Sequence, residues 1–326
     1  MFPVLPLTGQ RLEPVLVNDA APTRSEIWMP YGDVILQVES TQFRINKDIL
    51  ARHSSIFRTL FSVPQPLNEP KLEGCPVVQL YGDDAKDWAL MLEVLYNPFR
   101  HQQAQPTFNV LAAMLRLGRK YDITQAYEDA LSRIHHEFPS DFMAFQDLNI
   151  DLTRIQHHHG ICFDLLNLLF ECEIYTSIPL LAFCCIRDNG MEAIVRTGVQ
   201  RNDGSYAMLS ADIKLRMALA FGRIASFQLR SLLWLRDESV IPHRSCQSPT
   251  HCAQQRNRMM GIVDQDHEGR FDLSYTIDEW DGRWTRMLCA VCEKAARKTY
   301  DQKRAEGWKL LPTFFDLPDW KDLKDL

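Results

Sequence analysis

Hydrophobic positions change period within a short stretch near the start of the chain. From Asp33 to Glu39, Val34, Leu36 and Val38 alternate with Ile35 and Gln37, and one face of the alternation is wholly apolar. A period of two predicts a strand packed against a core. After the small polar pair Ser40 and Thr41, Phe43 and Ile45 alternate with Gln42, Arg44 and Asn46, which predicts a second strand and hence a hairpin. The period then becomes helical: Ile49, Leu50, Ile56, Phe57, Leu60 and Phe61 predict two short helices, with Ser54 placed to cap the second.

The next stretch is punctuated by Pro64, Pro66, Pro70 and Gly74 and reads as a loop. Val77 to Leu80 forms a short strand pattern. Asp83 or Asp84 is positioned to cap a helix whose Trp88, Met91, Leu92 and Leu95 share one face, and Tyr96 and Pro98 end it. Leu111, Leu115 and Gly118 after Phe108, then Ala126, Tyr127, Ala130, Leu131 and Ile134 after Ile123, predict two more helices, with Asp122 as the expected cap of the second. Pro139 marks a boundary.

These positions resemble a BTB/POZ domain. In that family an Asp-apolar-x-apolar strand leads to Phe-x-apolar-(His/Asn)-(Lys/Arg), then apolar-Leu-x-x-x-Ser-x-x-Phe and a closing Leu/Met-Phe. The counterparts here are Asp33, Val34, Leu36, Phe43, Ile45, Asn46, Lys47, Ile49, Leu50, Ser54, Phe57, Leu60 and Phe61, and Leu95 and Tyr96 match the pair that closes the family's third helix. Asn46 stands where the family often has His, and both make a polar contact at a strand end. The resemblance covers residues 29–138 and implies a small sheet with flanking helices. It also implies self-association as a homodimer, recruitment of transcriptional regulators, or service as a substrate adaptor on a cullin-type ubiquitin ligase scaffold.

Beyond Pro139, Ile161 to Cys172 and Ile178 to Ile186 read as buried helices, and Ser210 is placed to cap a helix running through Ile213, Met217, Ala220 and Ile224 towards Trp234. No strand pattern of comparable length and no repeat of fixed period appears. The expected architecture is therefore α+β, with a BTB/POZ fold at 29–138 followed by a mainly α-helical domain at 139–326. Pro3, Pro6, Pro14 and Pro22 mark residues 1–28 as a flexible tail, with docking of Leu5, Leu7, Val15, Leu16 and Val17 as an added strand the alternative.

Bulk properties narrow the function classes. A length of 326 residues suits two domains, and a composition 46% hydrophobic and 24% charged can fill real cores. The net charge of −6 argues against wholesale nucleic-acid binding without a segregated basic face. One stretch has such a bias: Arg283, Arg286, Lys294, Arg297, Lys298, Lys303, Arg304 and Lys309 outnumber Glu293, Asp301 and Glu306. It reads as a solvated helix face, and the rival reading is a nucleic-acid or chromatin-associated regulator. The longest apolar run, Ile178 to Ile186, is far short of the ~20 residues of a membrane span. The N-terminus lacks the basic and continuous apolar regions of a secretory signal, so a cytoplasmic or nuclear setting without disulfides is expected.

The residues that carry chemistry are Cys246, Cys252, Cys289 and Cys292, a Cys-x5-Cys followed by a Cys-x2-Cys near a helix start. Four soft ligands in two pairs suit a tetrahedral structural zinc, with His243 and His251 as substitute ligands. The alternative is four unlinked thiols used as small packing groups. The segment from Ser245 onward resembles the end of a group of fungal BTB-domain proteins, in which two cysteine pairs, an aromatic connector and a Leu-Pro-x-Phe-Phe-x-Leu-Pro-x-Trp ending recur. Here those are the same cysteines, Trp280 and Trp284, and then Leu311, Pro312, Phe314, Phe315, Leu317, Pro318 and Trp320. Trp308, Phe314, Phe315 and Trp320 are expected to fold back onto the helical domain. Cys162, Cys172, Cys184 and Cys185 lie in apolar helical runs and read as inert buried thiols, and His157, His158 and His159 as a helix end or linker. Phosphate-binding glycine loops, a nucleophile elbow and hydrolase zinc motifs are absent in their required contexts, so the chain reads as a non-enzymatic interaction protein. A metalloenzyme would need an open coordination position, which four cysteines do not leave.

Overall fold

A computed structural model of the chain describes residues 21–63, 71–99, 105–148, 151–264 and 272–326. Its sheet is built around the alternating stretch. Strands β2 (Val34–Val38) and β3 (Thr41–Ile45) pair antiparallel, with Val34 opposite Ile45 and Leu36 opposite Phe43. Glu39 closes the turn with a φ of +51°. β1 (Thr23–Trp28) runs parallel to β3, β5 (Cys75–Leu80) runs parallel to β2, and the short β4 (Lys71–Leu72) pairs with β5, giving the order β1-β3-β2-β5-β4.

Strand β1 corrects the last part, Thr23–Trp28, of the tail expected at 1–28. Thr23 N donates to Ser40 O at 2.7 Å and Met29 N to Arg44 O at 2.8 Å, so the segment is held by backbone pairing on the open edge of β3. Edge pairing needs no apolar period, which is why the pattern of side chains did not reveal it. Residues 1–20, with the apolar positions considered for docking, lie outside the described residues.

Polar side chains fix the joints between the sheet and its helices. Asp33 Oδ1 accepts from Lys47 N at 2.8 Å and so satisfies an orphan donor at the start of α1 (Lys47–His53). Asn46 takes the OH of Tyr96 on its side-chain oxygen at 3.1 Å, a polar contact at the strand end. Ser54 caps α2 (Ser55–Ser62) by accepting from Phe57 N at 3.0 Å, and it donates to Tyr121 O at 2.5 Å. Of the two candidate caps for α3 (Ala85–Tyr96), Asp84 serves, accepting from Lys86 N at 2.6 Å. Asp122 does not cap. The helices α4 (Phe108–Lys120) and α5 (Thr124–Glu137) are joined through Ile123, and the Asp122 carboxylate instead receives the hydroxyls of Ser55 and Thr124.

The helical half comprises α6 (Phe142–Gln146), α7 (Ile161–Glu171), α8 (Ile178–Glu192, interrupted at Gly190), α9 (Ala211–Ser231), α10 (Pro249–Val263) and α11 (Ala290–Phe314). Ser210 caps α9 through Ile213 N, as the spacing predicts. One core runs unbroken from Val34, Phe57, Trp88 and Leu115 into α7, α8, α9 and the C-terminal half of α11. The final aromatics fold back: Trp320 stacks on Trp308 with ring centroids 5.1 Å apart and its Nε1 donates to Trp308 O at 2.7 Å, while Phe315 is buried. No helix among the described residues is long and apolar enough to cross a membrane.

A second, smaller core lies beside the first. Leu235, Ile241, Met259, Tyr275, Trp284, Leu288 and Tyr300 form it, with Cys252 and Cys292 in its interior. The indole Nε1 atoms of Trp234, Trp280 and Trp284 are buried there without a hydrogen-bond partner among the described residues. Trp284 meets Trp234, Trp280 and Tyr300 with interplanar angles of 81°, 78° and 82°. Edge-to-face contacts of this kind stabilise an aromatic cluster beyond the area it buries.

Candidate metal centre

Two helix starts bring the four cysteines together. Cys246 lies in the turn before α10 and Cys252 in the first turn of that helix, which Pro249 opens. Cys289 is the N-cap residue of α11, with φ −65° and ψ 157°, and Cys292 lies in its first turn. The four Sγ atoms all fall within 4.8 Å of one another, and Cys246 Sγ is 3.7 Å from Cys289 Sγ. A tetrahedral zinc with Zn–S bonds of ~2.3 Å sets its sulfurs about 3.8 Å apart, so the spacing fits one ion. Cys252 and Cys292 are fully buried, and Cys246 and Cys289 are half-buried on the outer side.

Backbone donors surround the sulfurs. His243 N points at Cys292 Sγ (3.3 Å), Ser248 N at Cys246 Sγ (3.3 Å) and Cys289 N at Cys252 Sγ (3.4 Å). N–H groups aimed at sulfur favour the thiolate over the thiol, as does the positive end of α11. Without a cation the thiols divide. The backbone N–H of Cys292 is the largest influence on Cys289 and holds it down to about 7, whereas burial pushes Cys252 and Cys292 up. The four-thiolate donor set is compatible with a zinc site, and a divalent ion would remove the conflict between adjacent thiolates.

All four thiols named from the sequence converge, but the substitute ligands do not join them. His243 turns its Nδ1 to accept from Ser245 N at 3.1 Å, and His251 is exposed and outside the cluster. The backbone N–H donors and the shell of Trp234, Tyr275 and Tyr300 had no sequence signal, because both arise only once distant segments pack. Trp280 and Trp284, part of the aromatic connector, sit in the core beside the cysteines, with the Arg297 guanidinium 4.8 Å above the Trp280 ring.

The other singled-out residues are structural. His158 Nε2 lies 2.9 Å from Asp164 Oδ2, whose carboxylate also binds Arg201, so the central histidine of the run ties a loop to α7. Burial pushes Cys172 up to about 11, Cys184 higher still and Cys185 up as well, whereas the hydrogen bond with Cys185 holds Cys162 below the usual thiol value, a departure from the inert thiol expected there.

The family model of the BTB/POZ domain matches residues 28–135. The chain thus carries a BTB/POZ domain whose matched residues span strands β2 to β5 and helices α1 to α4 with most of α5, followed by a mostly helical region. A BTB/POZ domain is in general a protein–protein interaction module, commonly used for homodimerisation and partner binding, cullin adaptors included. None of the curated proteins matches the chain.

Proposed function

We propose that this protein is a non-enzymatic interaction protein in which the BTB/POZ domain binds another protein or a second copy of itself, and the helical region supplies a further contact surface. The match over residues 28–135 carries the reading. The core shared between that domain and α7, α8, α9 and α11 supports treating the two halves as one unit that presents both surfaces together. Adaptor service on a cullin-type scaffold and recruitment of transcriptional regulators are the finer forms of this function.

In the same reading Cys246, Cys252, Cys289 and Cys292 hold one structural zinc. The 3.7 Å Sγ–Sγ spacing and the three backbone N–H donors support it. The ion would staple the segment before α10 to the start of α11, a role worth roughly 10 kcal/mol in small structural sites. Metal analysis of the purified protein tests it: one zinc per chain and a chelator-induced fall in melting temperature are expected, and stoichiometric absence of metal with no response to chelator would remove it.

The nucleic-acid alternative has less behind it. On the exposed side of α11, Arg297 pairs with Glu293 at 3.0 Å and Lys303 with Glu306 at 2.8 Å, so acidic partners interrupt the basic face. Affinity purification with mass spectrometry, run beside a mass measurement of the isolated protein, tests the interaction reading. Recovery of a cullin scaffold would select the adaptor form. A folded protein that is monomeric and recovers no partner would count against the reading as a whole.

A further inference from the structure

Helix α9 buries one face, with Ile213, Met217, Ala220, Ile224 and Phe227 in the core, and together with the turn after it presents four leucines outward. Leu215, Leu219, Leu229 and Leu233 are 63%, 50%, 58% and 55% exposed. Leu233 belongs to the 3-10 turn Leu233–Arg236 that follows α9. With Gly222 and Ser226 between them, the outward positions 215, 219, 222, 226, 229 and 233 alternate steps of four and three, the spacing of a helix–helix seam.

Gly222 has no task inside the fold. A Cβ there would meet nothing within 4 Å, and glycine weakens a helix interior relative to alanine. A missing side chain at mid-seam is useful where another backbone approaches closely.

The seam reads the same from either end. When it is laid antiparallel on a copy of itself with Gly222 opposite Ser226, Leu219 meets Leu229 and Leu215 meets Leu233. One step further out, Asp212 meets Arg236 at both ends. Both residues are exposed, and neither is ion-paired among the described residues of its own chain. We propose that a second copy of this chain docks here through a two-fold antiparallel contact between the α9 helices, with leucines as the apolar core, Gly222 and Ser226 at the crossing and Asp212–Arg236 pairs at the rims.

Two of the three arginines beside the seam turn away from it. Arg223 is neutralised by Asp316 at 2.7 Å and donates to Phe314 O, and Arg216 lies over the Phe170 ring at 5.9 Å and donates to Phe315 O at 3.5 Å, so both lean towards the end of α11. Arg230 donates to Ser226 Oγ at 2.8 Å along its own helix. The exposed leucine surface of two copies amounts to roughly 800 Å², and the rims bring the contact near the ~1,000 Å² of a specific interface. The contact uses none of residues 28–135, so it is separate from self-association through the BTB/POZ domain.

Photo-cross-linking of the full chain separates the two. A benzophenone amino acid is placed at Leu219, or at Ala218 on the border of the seam, in a mixture of light and heavy-isotope protein, and the cross-linked peptides are mapped. Mixed-isotope links to the region of Leu229 are expected. Gly222→Leu, or Leu219→Glu with Leu229→Glu probed from Ala218, should lower their yield at least about tenfold while circular dichroism and melting temperature hold. Asp212→Arg should weaken the links, and adding Arg236→Asp should restore them. Links to residues 1–20 of the same chain, links to another element of the second copy, no intermolecular link at high micromolar concentration, or full yield from the substituted seams would each overturn the proposal.

Discussion

Arg187 and Asp278 form a two-bonded ion pair between α8 and the segment leading to α11, with Arg187 Nη1 3.0 and 3.2 Å from the two carboxylate oxygens. Burial is the largest influence on Asp278 and pushes its carboxyl up to about 6, against the opposing pull of Arg187. The folded state therefore holds the proton more tightly than the unfolded chain, whose carboxyl titrates near 4. Stability from this group is fully present below the unfolded value and is lost as pH rises through about 6. Asp278→Asn should flatten the stability profile across that window by about 2 kcal/mol. Denaturant midpoints measured at pH steps across it provide the check, and a mutant curve parallel to the wild type would show that Asp278 does not titrate there.

Ser54→Ala removes two bonds at once, the cap to Phe57 N and the donation to Tyr121 O, at a fully buried position. A lost cap and a stranded carbonyl together should cost about 2 kcal/mol. Ser54→Thr keeps the oxygen and should recover part of the loss in thermal melts.

Two helical glycines should respond to alanine with opposite signs. A Cβ at Gly307 would lie 2.6 Å from Thr276 O and 3.0 Å from Phe227 Cε1, so Gly307→Ala must push α11 off the first core and should cost 1–3 kcal/mol, a rough range for overpacking. Gly222 faces open space within its own chain, and at concentrations where the chain is monomeric Gly222→Ala should gain up to about 1 kcal/mol from helix propensity alone. Equal effects in denaturant titrations would mean that the tight approach at Gly307 is not maintained in solution.

Replacement of Cys252 or Cys292 by Ser should be the most damaging change in the thiol cluster, because both sulfurs are fully buried and accept a backbone N–H, from Cys289 and His243 respectively. Cys246, half-buried at the rim, should tolerate Ser better. In cobalt(II)-loaded protein the absorption of a tetrahedral thiolate site should be lost with Cys292→Ser. An unchanged spectrum would place the metal elsewhere.

The BTB/POZ half was legible because its elements carry their own periods: the alternation from Val34 to Ile45 and the helical runs ending at Ile134 are local properties of sequence. The cysteines were legible as residue types in pairs, which is what lets distant segments be matched before their geometry is known. Strand β1 was not, since it is held by edge backbone bonds that any side chains permit. The role of Asp122 was misread for a related reason: a carboxylate next to a helix start has several local hydroxyls to accept from, and Ser55, far away in sequence, took it. The smaller core was invisible as a unit, because Leu235, Ile241, Tyr275 and Tyr300 come from segments without a shared pattern.

Helix α11 places Cys292, Ala296 and Tyr300 in the smaller core and Trp308, Leu311 and Phe314 in the larger. Its 25 residues make a single rod about 37 Å long. Neither core can melt alone without fraying a helix the other needs, so the two should unfold as one cooperative unit, and a lesion at one end of the rod should be felt as a lower melting temperature at the other.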